Sequence, residues 1–82
     1  MGPGGGWIRI HRREYRFRGL IQRSIVQQVY EAWRDGAGRL RTQEVLETAE
    51  SKSRELAQAF SGRPEFKEII GYNDGFCWLK VD

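Results

Sequence analysis

The sequence predicts a small α+β fold in the order hairpin, helix, helix, helix, hairpin. Two observations carry the prediction. Apolar residues alternate with polar ones near both ends of the chain, the mark of half-buried strands. Between those ends they recur at three- and four-residue steps, the mark of amphipathic helices. A third observation, the turn triplet Asn73-Asp74-Gly75, divides the C-terminal β segment into two strands. With 82 residues the chain has the length of one domain. Residues 1–6, rich in glycine, read as a flexible leader, and 7–82 as the single domain.

Ile8 and Ile10 share one face of the first strand, with Trp7, Arg9 and His11 opposite. Tyr15 and Phe17 share a face of the second, with Arg16 and Arg18 opposite. Residues 11–14 are the expected connection. Gly19 ends the alternation. Ile21, Ile25, Val29, Ala32 and Trp33 then form one helical face, widened by Leu20, Val26 and Tyr30. The spacing predicts a helix over 21–35, ending at Asp35-Gly36-Ala37-Gly38, where glycine supplies the positive φ of a C-cap.

Arg39-Leu40-Arg41 reads as a linker with one buried anchor. Thr42 is the expected N-cap of a second helix with Val45, Leu46 and Ala49 inward. Ser51 or Ser53 is the expected cap of a third, with Leu56, Ala57, Ala59 and Phe60 apolar, ending at Ser61-Gly62-Arg63-Pro64. From Phe66 the chain returns to β. Cys77, Leu79 and Val81 face one way, and Phe76, Trp78 and Lys80 the other.

Composition excludes several classes. One cysteine forbids an intramolecular disulfide, and one cysteine with one histidine cannot make a zinc-finger ligand set. No apolar run approaches the roughly 20 residues of a membrane span. The first six residues have neither a basic nor an apolar segment, so no signal peptide is expected. The expectation is a cytoplasmic protein without cofactor, metal site or membrane contact.

Charge is unevenly placed. Residues 1–41 hold nine arginines against three acids, a balance of +6; residues 42–82 hold five cations against eight acids, a balance of −3. Arg12, Arg13, Arg16 and Arg18 are clustered. Arginine forks onto phosphate and carboxylate, so the asymmetry suggests a polyanion partner, against the plainer reading of a solvated charged hairpin.

Two short helices a few residues apart, followed by a hairpin, resemble the winged helix-turn-helix class. Arg12 to Phe17 looks like the leading strand pair of winged helices of the response-regulator type, and residues 20–36 like the scaffold helix. Thr42 to Phe60 resembles the helix-turn-helix, and Ile69 to Leu79 the wing. The run from Ser51 to Phe60, with Ile69-Ile70 and Gly75, is similar to small winged-helix proteins of bacteria and phages. The resemblance implies a three-helix winged helix-turn-helix with an N-terminal β-hairpin, and duplex DNA as the partner. The expected protein is a small bacterial or phage transcriptional regulator.

On that reading, Arg54 contacts guanine and Gln58 adenine edges. Lys52, Ser53 and Arg63 hold phosphates, Ser53 near a helix N-terminus that favours anions. Lys67, Tyr72 and Asn73 are the wing contacts, and Arg12, Arg13 and Arg16 add cations. Against this stand Glu44, Glu47, Glu50 and Glu55 beside the motif helices and Asp74 at the wing tip. The alternative reading is a winged helix used for protein–protein contact, such as a phage-encoded inhibitor of a host complex, with exposed tryptophans as anchors. A homodimer fits either.

No enzyme is expected. His11 reads as a hairpin-tip side chain, Cys77 as a buried thiol, and Glu65 and Glu68 as loop carboxylates. The glycines of residues 2–6 follow no strand and precede no Gly-Lys-Ser/Thr. Trp33 reads as core. Trp7 and Trp78 lie on the outward faces of their strands, where exposed aromatics would mark a contact surface.

Overall fold

The structure, a computed structural model, describes residues 6–10 and 12–80. The expectations for residues 1–5 as leader, His11 as a hairpin tip and Val81 as an inward position lie outside the described residues. The order of elements is mixed α+β: three α-helices and two small antiparallel sheets.

β1 (Trp7–Ile10) and β2 (Arg13–Arg16) form the first hairpin, with Ile10 paired to Arg13 and Arg12 at a positive φ of 66°. Gly6, expected in the leader, extends the pairing: its carbonyl accepts from the Phe17 amide at 2.9 Å. Ile8, Ile10, Tyr15 and Phe17 are buried, as the alternation predicts.

α1 (Leu20–Arg34) buries Ile25, Val26, Val29 and Ala32. Its C-terminus is a Schellman motif: the Ala37 amide donates to the Ala32 carbonyl at 2.8 Å and the Gly36 amide to Trp33, with Gly36 at φ 79°. Two residues of the predicted stripe are not core. Leu20 is 81% exposed because it opens the helix before the first inward turn, and Trp33 is 46% exposed in the last turn. Trp33 sits at the edge of the stripe, 5.8 Å from the Tyr30 ring.

The expected linker is a strand. β3 (Leu40–Arg41) pairs with β5 (Phe76–Leu79), which pairs with β4 (Ile70–Asn73), giving the sheet order β3-β5-β4. α2 (Thr42–Thr48) follows β3 directly. Thr42 is therefore the first helical residue and not the N-cap; its amide donates to the Gly75 carbonyl at 2.9 Å.

α2 closes like α1, but without glycine. Glu50 takes the left-handed position at φ 58°, and the Ser51 amide donates to the Leu46 carbonyl at 2.9 Å. A left-handed residue with a Cβ costs about 1–2 kcal/mol relative to its ordinary conformation. Glu50→Gly is therefore expected to raise the unfolding free energy by about 0.5–1 kcal/mol, read from the urea midpoint.

α3 (Leu56–Ala59) is a single turn, much shorter than the sequence suggests. Residues 51–55 are a turn, held by the Ser53 amide donating to the Ser51 hydroxyl at 3.1 Å. Neither serine caps α3; its N-cap is Glu55. After Gly62, with φ 82°, residues Pro64–Glu68 make a 3-10 helix, so the return to β expected from Phe66 begins only at Ile70. Pro64 supplies its fixed φ at the helix start, and Phe66 turns inward.

Phe60 joins these parts. Its ring stacks on Phe66 at 4.6 Å and meets Phe17 edge-on at 5.5 Å, so the first hairpin, α3 and the 3-10 helix share one aromatic cluster. The second hairpin turns at Asp74 and Gly75, φ 51° and 81°, as the triplet predicts. Within it, Gly71 is where Trp78 lies flat on the backbone. A Cβ at residue 71 would sit 2.4 Å from the indole. Gly71→Ala is expected to cost about 1–3 kcal/mol by displacing Trp78, seen as a lower melting point and a changed indole fluorescence.

Candidate nucleic-acid interface

Because β3 pairs with Phe76 and Cys77 and the Thr42 amide donates to the Gly75 carbonyl, the turn end of the second hairpin is held at the start of α2, beside the segment that leads into α3. The space between them is a groove of about 410 Å³ lined by Gln43, Arg54, Glu55, Tyr72 and Asn73 among others. On one side, Lys52, Ser53 and Arg54 line a second groove with Gln43 and Glu47. On the other, Tyr72 and Asn73 line a third with Lys67 and Lys80. The shared residues make one strip, running from Lys52 through Arg54 and Asn73 to Lys67.

Six sequence candidates are thus brought together: Lys52, Ser53, Arg54, Lys67, Tyr72 and Asn73. Their local setting differs from the expectation. Lys52, Ser53 and Arg54 project from a turn, not a helix, and the one-turn α3 gives Ser53 no helix terminus to stand on. Gln58 is exposed on α3, outside these grooves.

Arg63 is not a free phosphate ligand. It is half-buried, donates to the Glu65 carboxylate and to the Arg16 carbonyl, and lies 5.1 Å over the Phe17 ring. The Arg63 hydrogen bond holds the Glu65 carboxyl below its ordinary pKa. This arginine joins β2 to the loop after α3, which is why its charge is spent internally.

The first hairpin abuts the 3-10 helix. Arg13 pairs with Glu68 at 2.6 Å and lies 5.4 Å over Tyr15, whose hydroxyl donates to the same carboxylate at 3.1 Å. Burial, then that carboxylate, pushes the Tyr15 hydroxyl above its ordinary pKa. Arg16 pairs with Glu14 at 3.4 Å. Exposed pairs of this kind contribute under about 1 kcal/mol, but they halve the free charge of the cluster. Arg12, at the turn, is exposed. The hairpin and the strip meet at adjacent residues: Glu68 holds Arg13, and Lys67 belongs to the strip.

Gln43 and Lys80 were not marked by sequence reading. Lys80 carries a signal, since it continues the alternation of Phe76 and Trp78 just past the end of β5. Gln43 carries none until the hairpin is placed beside α2. Trp78 is half-buried, with the Arg39 guanidinium 4.7 Å over its ring, so it is covered and not a free anchor. Cys77 is fully buried, and burial raises its thiol pKa against a hydrogen bond from Thr42 that lowers it. A raised pKa is the reverse of what a nucleophilic thiolate needs.

Among the described residues, no group of three or more His, Cys, Asp or Glu could hold a metal ion. No described helix is long and apolar enough to cross a membrane. No family model matches the chain, and no curated protein or solved structure matches it either.

Proposed function

We propose that this chain is a winged helix-turn-helix module that binds duplex DNA through the strip from Lys52 to Lys67. The observation that carries the reading is the groove in which the α2–α3 turn and the second hairpin both take part, with Arg54 facing Tyr72 and Asn73 across it. The sheet order β3-β5-β4 supports it, since β3 ties the second hairpin to the start of α2. Four cations line the strip: Lys52, Arg54, Lys67 and Lys80. Their charge is partly offset by Glu47, Glu55 and Asp74, which line the same grooves.

The one-turn α3 sets the character of the binding. A helix of four residues presents few side chains to base edges, with Gln58 its exposed polar one. Phosphate contacts therefore supply most of the affinity, and sequence discrimination is modest. The test is a titration of isotope-labelled protein with a short mixed-sequence duplex, following backbone amides. Shifts confined to residues 43, 52–54, 67, 72–73 and 80 are expected. Shifts confined to the first hairpin would reject this interface.

A further inference from the structure

β1 is an edge strand with one side paired and one side open. The Phe17 amide donates to the Gly6 carbonyl, so by antiparallel alternation Ile8 and Ile10 exchange hydrogen bonds with β2. The amides and carbonyls of Trp7 and Arg9 then point away from β2. Among the described residues, no backbone hydrogen bond reaches them. An open edge of this kind is a template for a further strand.

What lies beside that edge is apolar. The last turns of α1 and the end of β5 stand back from it, leaving a groove of about 450 Å³ lined by Trp7, Tyr30, Trp33 and Leu79. Trp7 is 36% and Trp33 46% exposed. Two half-exposed indoles flanking an open strand edge have the chemistry of a side-chain pocket in strand addition: main-chain bonds from the edge, and a pocket for one side chain of the incoming strand.

Charge selects the occupant. The hairpin segment 6–18 holds five arginines and one glutamate; Arg13 and Arg16 are paired with Glu68 and Glu14, and Arg9 itself lines the groove. A second copy of this chain would bring the same positive field against itself. We propose that β1 is the docking edge for an extended acidic peptide of a protein partner, which adds a strand beside Trp7 and Arg9 and seats an aliphatic side chain between Trp7 and Trp33. Trp7, Tyr30 and Trp33 line none of the three grooves of the DNA strip, so this site is separate from that interface and does not depend on it.

The probe is a heptapeptide of alternating glutamate and valine with leucine at its centre, titrated into the isotope-labelled full chain. The Trp7 and Arg9 amides are expected to shift and to exchange with solvent about tenfold more slowly. The Trp33 indole shifts with them. The same peptide with lysine for glutamate binds about tenfold more weakly. Trp33→Ala removes the pocket wall, and Arg9→Pro removes an outward amide that the β1–β2 pairing does not use. Each lowers peptide affinity about tenfold or more, with the rest of the spectrum unchanged. Absent shifts at Trp7 and Arg9, or equal binding of the lysine peptide, would overturn the proposal. So would protection of the same amides by self-association without peptide. Occupation of the edge by a single-stranded oligonucleotide in place of the peptide would overturn it too.

Discussion

Phe60→Ala is expected to lower the unfolding free energy by about 3–5 kcal/mol, the largest effect of any single change proposed for this chain. The ring is fully buried, stacked on Phe66 and edge-on to Phe17. Truncation removes the apolar burial and leaves a cavity between three elements that, among the described residues, share no other ring contact. The first hairpin is held to the rest of the fold here, through Arg63, and through Arg13 and Tyr15 on Glu68. A domain of this size has a total stability near the low end of about 5–15 kcal/mol, so the variant should be substantially unfolded at 37 °C. Urea denaturation followed by far-UV circular dichroism measures it. Leu20→Ala, at an exposed position, is the control and should stay within about 0.5 kcal/mol of the parent. A Phe60→Ala loss below about 1 kcal/mol would mean the aromatic cluster is not the joint between the hairpin and the helices.

Arg54→Ala carries the second large effect, a loss of duplex affinity of about 1–3 kcal/mol with the fold intact. Arg54 is exposed and lines two of the three grooves, so it stands at the middle of the strip. Its removal takes away a forked cation that lysine cannot replace geometrically. Arg63→Ala makes the contrast. Its guanidinium serves Glu65, the Arg16 carbonyl and Phe17, so it should lower the melting point more than it lowers affinity. Isothermal titration of both variants with one duplex separates the two roles. Equal affinity of Arg54→Ala and the parent would remove Arg54 from the interface.

The parts of the fold legible in the sequence are those where periodicity and turn chemistry agree. α1 is marked by a full stripe and a glycine C-cap, and the second hairpin by a triplet that takes positive φ at Asp74 and Gly75. α3 was not legible at its true length. Its neighbourhood has helix-compatible spacing, but Glu50 ends α2 in a left-handed conformation that a glutamate does not advertise, and Ser51 spends its hydroxyl on Ser53. β3 is two residues long and acquires its identity only from pairing with β5. Trp33 has stripe spacing yet lies at the stripe's edge in the last turn, where the core has ended.

The candidate site divides the same way. Side chains that look exposed from their position in a strand or turn, Lys52, Arg54, Tyr72 and Asn73, line two adjoining grooves. Arg63 could not be sorted by sequence, because its partners are 2 and 47 residues away in the chain and one of them is a backbone carbonyl. The arginine cluster of the first hairpin looks free in sequence, but Glu68 and Glu14 hold two of its members.

The most direct test of the central claim is duplex affinity measured across a salt series from 50 to 300 mM. Four cations line the strip, and each phosphate neutralised contributes about 0.9 to the slope of log K against log salt. The account predicts a slope of roughly −3 to −4 that survives replacement of Arg12 and Arg16 by alanine. A folded protein that fails to bind at the lowest salt, or binds with a slope shallower than about −1, would contradict it.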